Sequence, residues 1–325
     1  MAHLFKPRLE ILAFHRILDR NESYFIPPMA LALSTFERLI HKLSHTFDII
    51  SLSEAVALLN RDAIQHRTLA ITFDDGYLDN YSVAKDFLSP AGIPATFFIP
   101  INQIDGGRPY WWDHVKSVAD RAQSGFWKWL IQLSRAIQPG MLLFPAGMTS
   151  SADKTVLRQL IQGVNALSYE DRTIFLQSLE KEFGPYEGSR LLMDWDEIQD
   201  LCLKGFSIGS HTLSHEPLTD LDPTEARNEI EHSRSILADR LGYPIDGFCY
   251  PRGAFSDFLS EIVKQSGYSY AVTTRYASNK HKSDPFALSR RNISDYTGLR
   301  AVFPVAAIRL ELSGVLDPLL SSRRS

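Results

Sequence analysis

The feature that most constrains this chain is a rhythm. Short β-branched or aromatic runs alternate with longer segments of helical periodicity, the pattern of a parallel sheet whose crossovers are helices. Strands are predicted over residues 9–14, 68–73, 95–100, 206–209, 247–250 and 268–273. Helices are predicted to begin at Ser34, where Glu37 would complete a capping box, at Ser53, near Asp79, at Asp194 and at Asp222. Gly92, Gly205, Gly242 and Gly267 fall where these helices should end, as suits the residue that tolerates a left-handed conformation. Together these signals describe a barrel or an open α/β sheet.

Residues 106–190 interrupt the rhythm with helical patterns over 112–137, 151–167 and 169–183 and no convincing strand between them. The expected organisation is one α/β unit built from residues 1–105 and 190–325, with a helical insertion at 106–189. The insertion carries an aromatic cluster, Tyr110, Trp111, Trp112, Phe126, Trp127 and Trp129. These rings either pack the insertion onto the barrel or line a sugar cleft, since flat apolar rings stack on the C–H faces of pyranoses.

Charge and cysteine content exclude several classes. With 34 Lys and Arg against 38 Asp and Glu, a net charge of −4 gives no general attraction to nucleic acid or an anionic membrane surface. Two cysteines, Cys202 and Cys249, cannot form a disulfide framework; their apolar neighbours suggest buried free thiols, with a single bridge as the alternative. The first 18 residues are broken by Lys6, Arg8, Glu10, His15 and Arg16, so no signal peptide is read there. A cytoplasmic protein is expected, with action at the inner membrane face as the alternative. The apolar run at 301–320 contains Arg309 and Glu311 and is read as a packing helix and not a membrane span; peripheral membrane contact is the competing reading.

Three segments can carry chemistry. In Ile71-Thr72-Phe73-Asp74-Asp75-Gly76-Tyr77 an apolar strand runs into two adjacent acids and a glycine, at the strand end where α/β folds assemble active sites. Adjacent carboxylates repel and both stay ionised only where a cation or donor compensates them. One acid binding a metal while the other accepts a proton would satisfy both; a turn capping the next helix is the competing reading. In the second segment, Ser210-His211-Thr212-Leu213-Ser214-His215, one helical turn would project both imidazoles from the same side. Asp75, His211 and His215 together would bind Zn²⁺ or a similar divalent ion and leave positions open for water and substrate. The third, Phe248-Cys249-Tyr250-Pro251-Arg252-Gly253, is a strand entering a turn. Its Arg252 N–H could donate to a developing oxyanion and its side chain hold a carboxylate, unless the turn merely ends a buried strand.

In this order and context the segments resemble the polysaccharide deacetylases of the NodB-homology family, carbohydrate esterase family four, over about residues 8–105 and 190–295. The resemblance implies an α/β fold, a distorted (β/α)7 barrel with a helical insertion. It implies one divalent metal on Asp75, His211 and His215, with Zn²⁺ first and Co²⁺ or Ni²⁺ as alternatives, and Asp74 as general base. The turn at Tyr250, Pro251 and Arg252 would line the groove and lend the Arg252 N–H to the oxyanion; many members carry an aromatic residue in place of Arg252. Many members also take their general acid from a Leu-x-His motif near the C-terminus, but here no histidine follows His281, which lies in a polar stretch and is expected to be solvated. His15, at the end of the run 9–14, resembles the N-terminal histidine of the subgroup that deacetylates poly-N-acetylglucosamine; a hydrogen-bonded core histidine is the competing reading. Arg291 resembles the family's late arginine, expected to pair with and orient Asp74. Arg290 competes for that role, because neighbours on a strand face opposite ways.

The activity so implied is metal-dependent removal of N-acetyl groups from an amino-sugar polysaccharide or oligosaccharide, in exopolysaccharide or cell-envelope glycan metabolism. Alternatives are an O-acetyl esterase, a deacetylase of small lipid- or nucleotide-linked sugars, and a non-catalytic carbohydrate-binding relative, against which the retention of both Asp74 and Asp75 argues.

Overall fold

The computed structural model describes residues 7–19, 29–122, 124–137, 154–294 and 304–312. The chain divides into two compact units, Met1–Gly107 with Leu192–Ser325, and Arg108–Leu191. In the first, the strands are β1 (Arg8–Phe14), β2 (Arg16–Leu18), β3 (Ala30–Ala32), β4 (Asp48–Ile49), β5 (Arg67–Phe73), β6 (Thr96–Ile99), β7 (Ser207–Ser210), β8 (Gly247–Cys249), β9 (Tyr270–Val272) and β10 (Arg291–Asn292). Seven form one parallel path, β10-β1-β5-β6-β7-β8-β9, with helices between them; β4 joins β5 at its start, where β6 does not reach, and β2 pairs with β3 separately. This is the distorted (β/α)7 barrel. Its closure is partial: Leu288 N donates to Ala271 O and Thr273 N to Leu288 O on one side, and three residues later Arg291 registers with Leu12 of β1 on the other.

The strands are near-continuous apolar runs because both faces are covered. Inside the barrel Leu9, Ile11, Ala70, Phe98, Tyr270, Val272 and Leu288 form one buried cluster with Leu52, Ala55, Val56 and Leu59 of the helix Leu52–Asn60. Each large apolar side chain so buried contributes about 1.5–3 kcal/mol relative to exposure. Outside the sheet, Phe73 stacks on Phe97 at 4.8 Å and Phe14 meets Phe36 of the helix Leu33–Ser44 edge-on. Gly209 allows β6 and β7 to approach: a Cβ there would lie 2.5 Å from the Phe98 ring.

Helix starts follow local capping chemistry, with corrections. Asp194 and Asp222 each close a capping box, with Glu197 and Glu225. At the first helix the expected Ser34–Glu37 box does not form, because the helix begins at Leu33 with Ala32 as its cap and Ser34 inside the first turn. Ser51, not Ser53, caps the second, accepting from Glu54 N. Asp79 lies within the helix Leu78–Val83 and instead accepts from Arg16 Nε at 2.7 Å and Ile17 N at 2.8 Å. Both cysteines are free thiols; Cys249 is buried and Cys202 half-buried. Of the 301–320 run, Pro304–Leu312 is helical with Ile308 and Leu312 buried; the remainder lies outside the described residues. Among the described residues no helix is long and apolar enough to cross a membrane.

The second unit contains the helices Trp111–Ala122, Ser124–Ile137, Lys154–Asn165 and Tyr169–Phe183. Tyr110 stacks on Trp112 at 4.4 Å, and Trp129 packs on Phe126, Phe175 and Phe183. These aromatic residues form this unit's own core.

Candidate functional site

The site lies at the C-terminal ends of the strands, where successive loops leave the barrel on one face. At the end of β5, Asp74 N donates to Phe14 O, which pins the loop to β1. Thr72 and Asp74, two residues apart, face the interior together. Asp75 then turns into the left-handed region (φ 73°), followed by Gly76 (φ 69°), so two adjacent acids leave in different directions. Thr212 (φ 69°), His215 (φ 63°) and Arg252 (φ 57°) are also left-handed. With Asp75 they make four of the six non-glycine residues in that region among those described, at a cost of about 1–2 kcal/mol each. Concentrated strain of this kind marks a functional face.

Asp75, His211 and His215 converge. Asp75 Oδ1 lies 3.5 Å from His211 Nε2 and 3.2 Å from His215 Nε2, and the imidazole centroids are 4.7 Å apart. The expected helical turn is not what aligns them: residues 211–217 are irregular. The loop is instead held by Glu229, whose Oε2 accepts from Leu213 N and Ser214 N at 2.8 Å each, and by Ile101 N and Asn102 N donating to Thr212 O and Leu213 O. His211 Nδ1 donates to Cys249 O at 2.8 Å, which turns Nε2 toward Asp75. One carboxylate oxygen and two imidazole nitrogens, mutually within 4.8 Å, are a donor set that fits a divalent cation such as Zn²⁺. Burial alone would raise the Asp75 carboxyl, but hydrogen bonds from His211 and His215 hold it well below the usual carboxylate range. Burial pushes the His215 pKa down against the opposing pull of Asp75.

Asp74 is organised separately. Arg290 Nη1 and Nη2 donate to its two oxygens at 2.8 and 2.7 Å. The same guanidinium donates to Thr72 Oγ1 (3.0 Å), Thr273 O (3.0 Å) and Cys249 Sγ (3.0 Å), so all five N–H groups are engaged. Burial opposes the charge on Asp74, yet Arg290 more than offsets it and lowers the carboxyl below its ordinary range. His15, in the bend after β1 and 22% exposed, places Nε2 4.0 Å from Asp74 Oδ2. Cys249 Sγ lies 3.7 Å from the same oxygen; burial pushes its pKa up and keeps it a thiol.

One expectation is corrected. Arg291 does not reach Asp74: it points to the opposite face of its strand, where its Nε donates to the buried Glu10 carboxylate at 2.7 Å, and Arg290 takes the inward position. In the turn expected to line the groove, the Tyr250 side chain is buried. Its hydroxyl donates to Phe286 O, and its ring packs on Phe248 and Phe255. Pro251 is buried and Arg252 exposed in the turn that ends β8. His281 is exposed beside Asp62, away from the site. Sequence reasoning did not single out Thr72, Cys249 or Glu229 as site residues; the period-two alternation from Asp74 would have found Thr72.

The profile described as polysaccharide deacetylase matches residues 62–124 and 164–271, more than half of the chain. The match takes in Asp74, Asp75, His211, His215, Tyr250, Pro251 and Arg252, while His15 and Arg290 lie outside it. Among curated proteins, YxkH of Bacillus subtilis (strain 168) is 24% identical over 99 residues, 30% of this chain and 36% of that protein. Chitin deacetylase 1 of Cryptococcus neoformans var. grubii (strain H99) is 32% identical over 89 residues, 27% of this chain and 19% of that protein. The chain therefore spans about a third or less of each curated relative. Among solved structures, the Streptococcus pyogenes deacetylase PplD, in complex with acetate, superposes with a TM-score of 0.60 at 15% identity, covering 92% of this chain and 97% of that one.

Proposed function

Because the chain belongs to the polysaccharide deacetylase family, we propose that it hydrolyses N-acetyl groups on an amino-sugar polysaccharide or oligosaccharide, releasing acetate and a free amine. The observation that carries this reading is the division of labour between neighbouring acids: Asp75 faces two imidazoles, while Asp74 faces a guanidinium and a third imidazole. A divalent metal held by Asp75, His211 and His215, Zn²⁺ first with Co²⁺ or Ni²⁺ as alternatives, would supply Lewis acidity toward the acetyl carbonyl and the attacking water.

The chain's own residues do the rest. Asp74, ionised against Arg290, takes a proton from the water as it attacks the acetyl carbon. Arg290 fixes the plane of the carboxylate, since a bidentate pair allows little rotation. His15, in its protonated form, delivers a proton to the departing nitrogen, a step an amide needs because an amine anion is a very poor leaving group. The N–H of Arg252 serves as a donor to the developing oxyanion, for which its left-handed turn at the end of β8 is suited. An exopolysaccharide or cell-envelope glycan as the natural substrate is carried by the family alone.

The test is to incubate metal-supplemented protein with N-acetylglucosamine oligomers and measure acetate and new amine together. Equal amounts support N-deacetylation. Acetate without amine from an O-acetylated glycan would move the activity to ester hydrolysis, and neither product from any acetylated glycan would support a binding role.

A further inference from the structure

The loops that follow β8 and β9 carry a feature this mechanism does not use. Thr274 Oγ1 donates to Arg252 O at 3.1 Å, which ties the two loops together, and Arg290 N donates to Arg275 O at 2.9 Å, which sets Arg275 next to the strand that holds the Asp74 clamp. The Arg275 guanidinium lies 4.1 Å above the centroid of Phe255, and Phe255 in turn packs 5.5 Å from Tyr250. Arg275 is exposed, and among the described residues it makes no ion pair. The carboxylate of Asp284, on the next segment, accepts from Phe286 N at 2.9 Å.

A guanidinium seated over a ring has one side covered and its freedom to swing reduced. Two parallel N–H groups at its edge match the two oxygens of a carboxylate. In a chain of net charge −4 this is a local device and not part of a general cationic field. Arg275 follows the C-terminal end of β9, on the barrel face that also carries Asp74.

We propose that Arg275, braced on Phe255, is a subsite for a carboxylate-bearing sugar, so that the glycan acted on is an acidic one in which uronate units accompany acetylated amino sugars. This rests on the deacetylase reading for the identity of the polymer, but recognition of the charge is testable by itself.

The experiment compares a hyaluronan tetrasaccharide, in which glucuronate alternates with N-acetylglucosamine, with an uncharged chitin tetramer. Binding isotherms and acetate release are recorded on the same samples for the wild-type chain, Arg275→Ala and Arg275→Lys. The charged ligand should bind the wild-type chain about fivefold more tightly. That advantage should vanish in Arg275→Ala, survive in part in Arg275→Lys, and shrink in about 0.5 M salt. Equal affinity for the two ligands, no binding of either, or an advantage undiminished in Arg275→Ala would overturn the subsite. Charge-dependent binding without acetate from either ligand would leave the subsite standing and count against the deacetylase reading instead.

Discussion

Arg290 holds Asp74 through two parallel hydrogen bonds of 2.8 and 2.7 Å, at the point where the barrel closes between its last strand and its first. The carboxylate we propose as general base is thereby positioned by the seam of the fold. Replacing Arg290 with Lys keeps the charge and loses the fork. We expect kcat to fall about 10–100-fold with metal content unchanged, measured by acetate release alongside metal analysis. A variant with undiminished kcat would remove Arg290 from the mechanism.

His15 should matter in proportion to how poor the leaving group is. For an N-acetylated oligomer, His15→Ala should lose about 10²–10⁴-fold in kcat. For 4-nitrophenyl acetate, whose leaving group needs no proton, the loss should be slight. Equal losses on both substrates would assign His15 another role.

Arg291 and Glu10 form the counterpart of that pair on the opposite face, with Ser278 Oγ also donating to Glu10 at 2.6 Å and the Arg8 Nε 2.8 Å away. Arg291→Met should destabilise the fold by about 1.5–3 kcal/mol, because the buried Glu10 carboxylate loses one charged hydrogen bond while keeping Arg8 and Ser278. Denaturant unfolding measures this. Among molecules still folded, metal affinity should be that of the wild-type chain.

These neighbouring arginines show what the sequence could and could not convey. The principal strands lie within a residue or two of their predicted bounds because a strand buried on both faces is written as an unbroken apolar run, as in 67–73. Which arginine faces Asp74 depends on register, and that strand is only two residues long, with no alternation of its own to read; pairing with Leu12 decides it. The same limit hid the short strands at 16–18, 30–32 and 48–49. The spacing of His211 and His215 is legible in the sequence, but a helical turn does not align them, since residues 211–217 are irregular. What bends the loop is Glu229, 14 residues beyond His215 on the helix Pro223–Leu241, a contact no local pattern announces.

Glu229 should therefore tune the metal site from a distance. Glu229→Ala removes the acceptor of two backbone N–H groups, and we expect zinc affinity to weaken about 10–100-fold, read by competition with a chromophoric chelator. Unaltered affinity would show that the loop is held by its contacts to residues 101 and 102 alone.

The most direct measurement of the central claim is metal stoichiometry and acetate release determined together for the wild-type chain, Asp75→Ala and Asp74→Asn. The account predicts one divalent ion per chain in the wild type and in Asp74→Asn, with activity in the latter reduced about 10²–10⁴-fold, and loss of both ion and activity in Asp75→Ala. Full activity in Asp74→Asn, or an ion retained with full activity in Asp75→Ala, would contradict it.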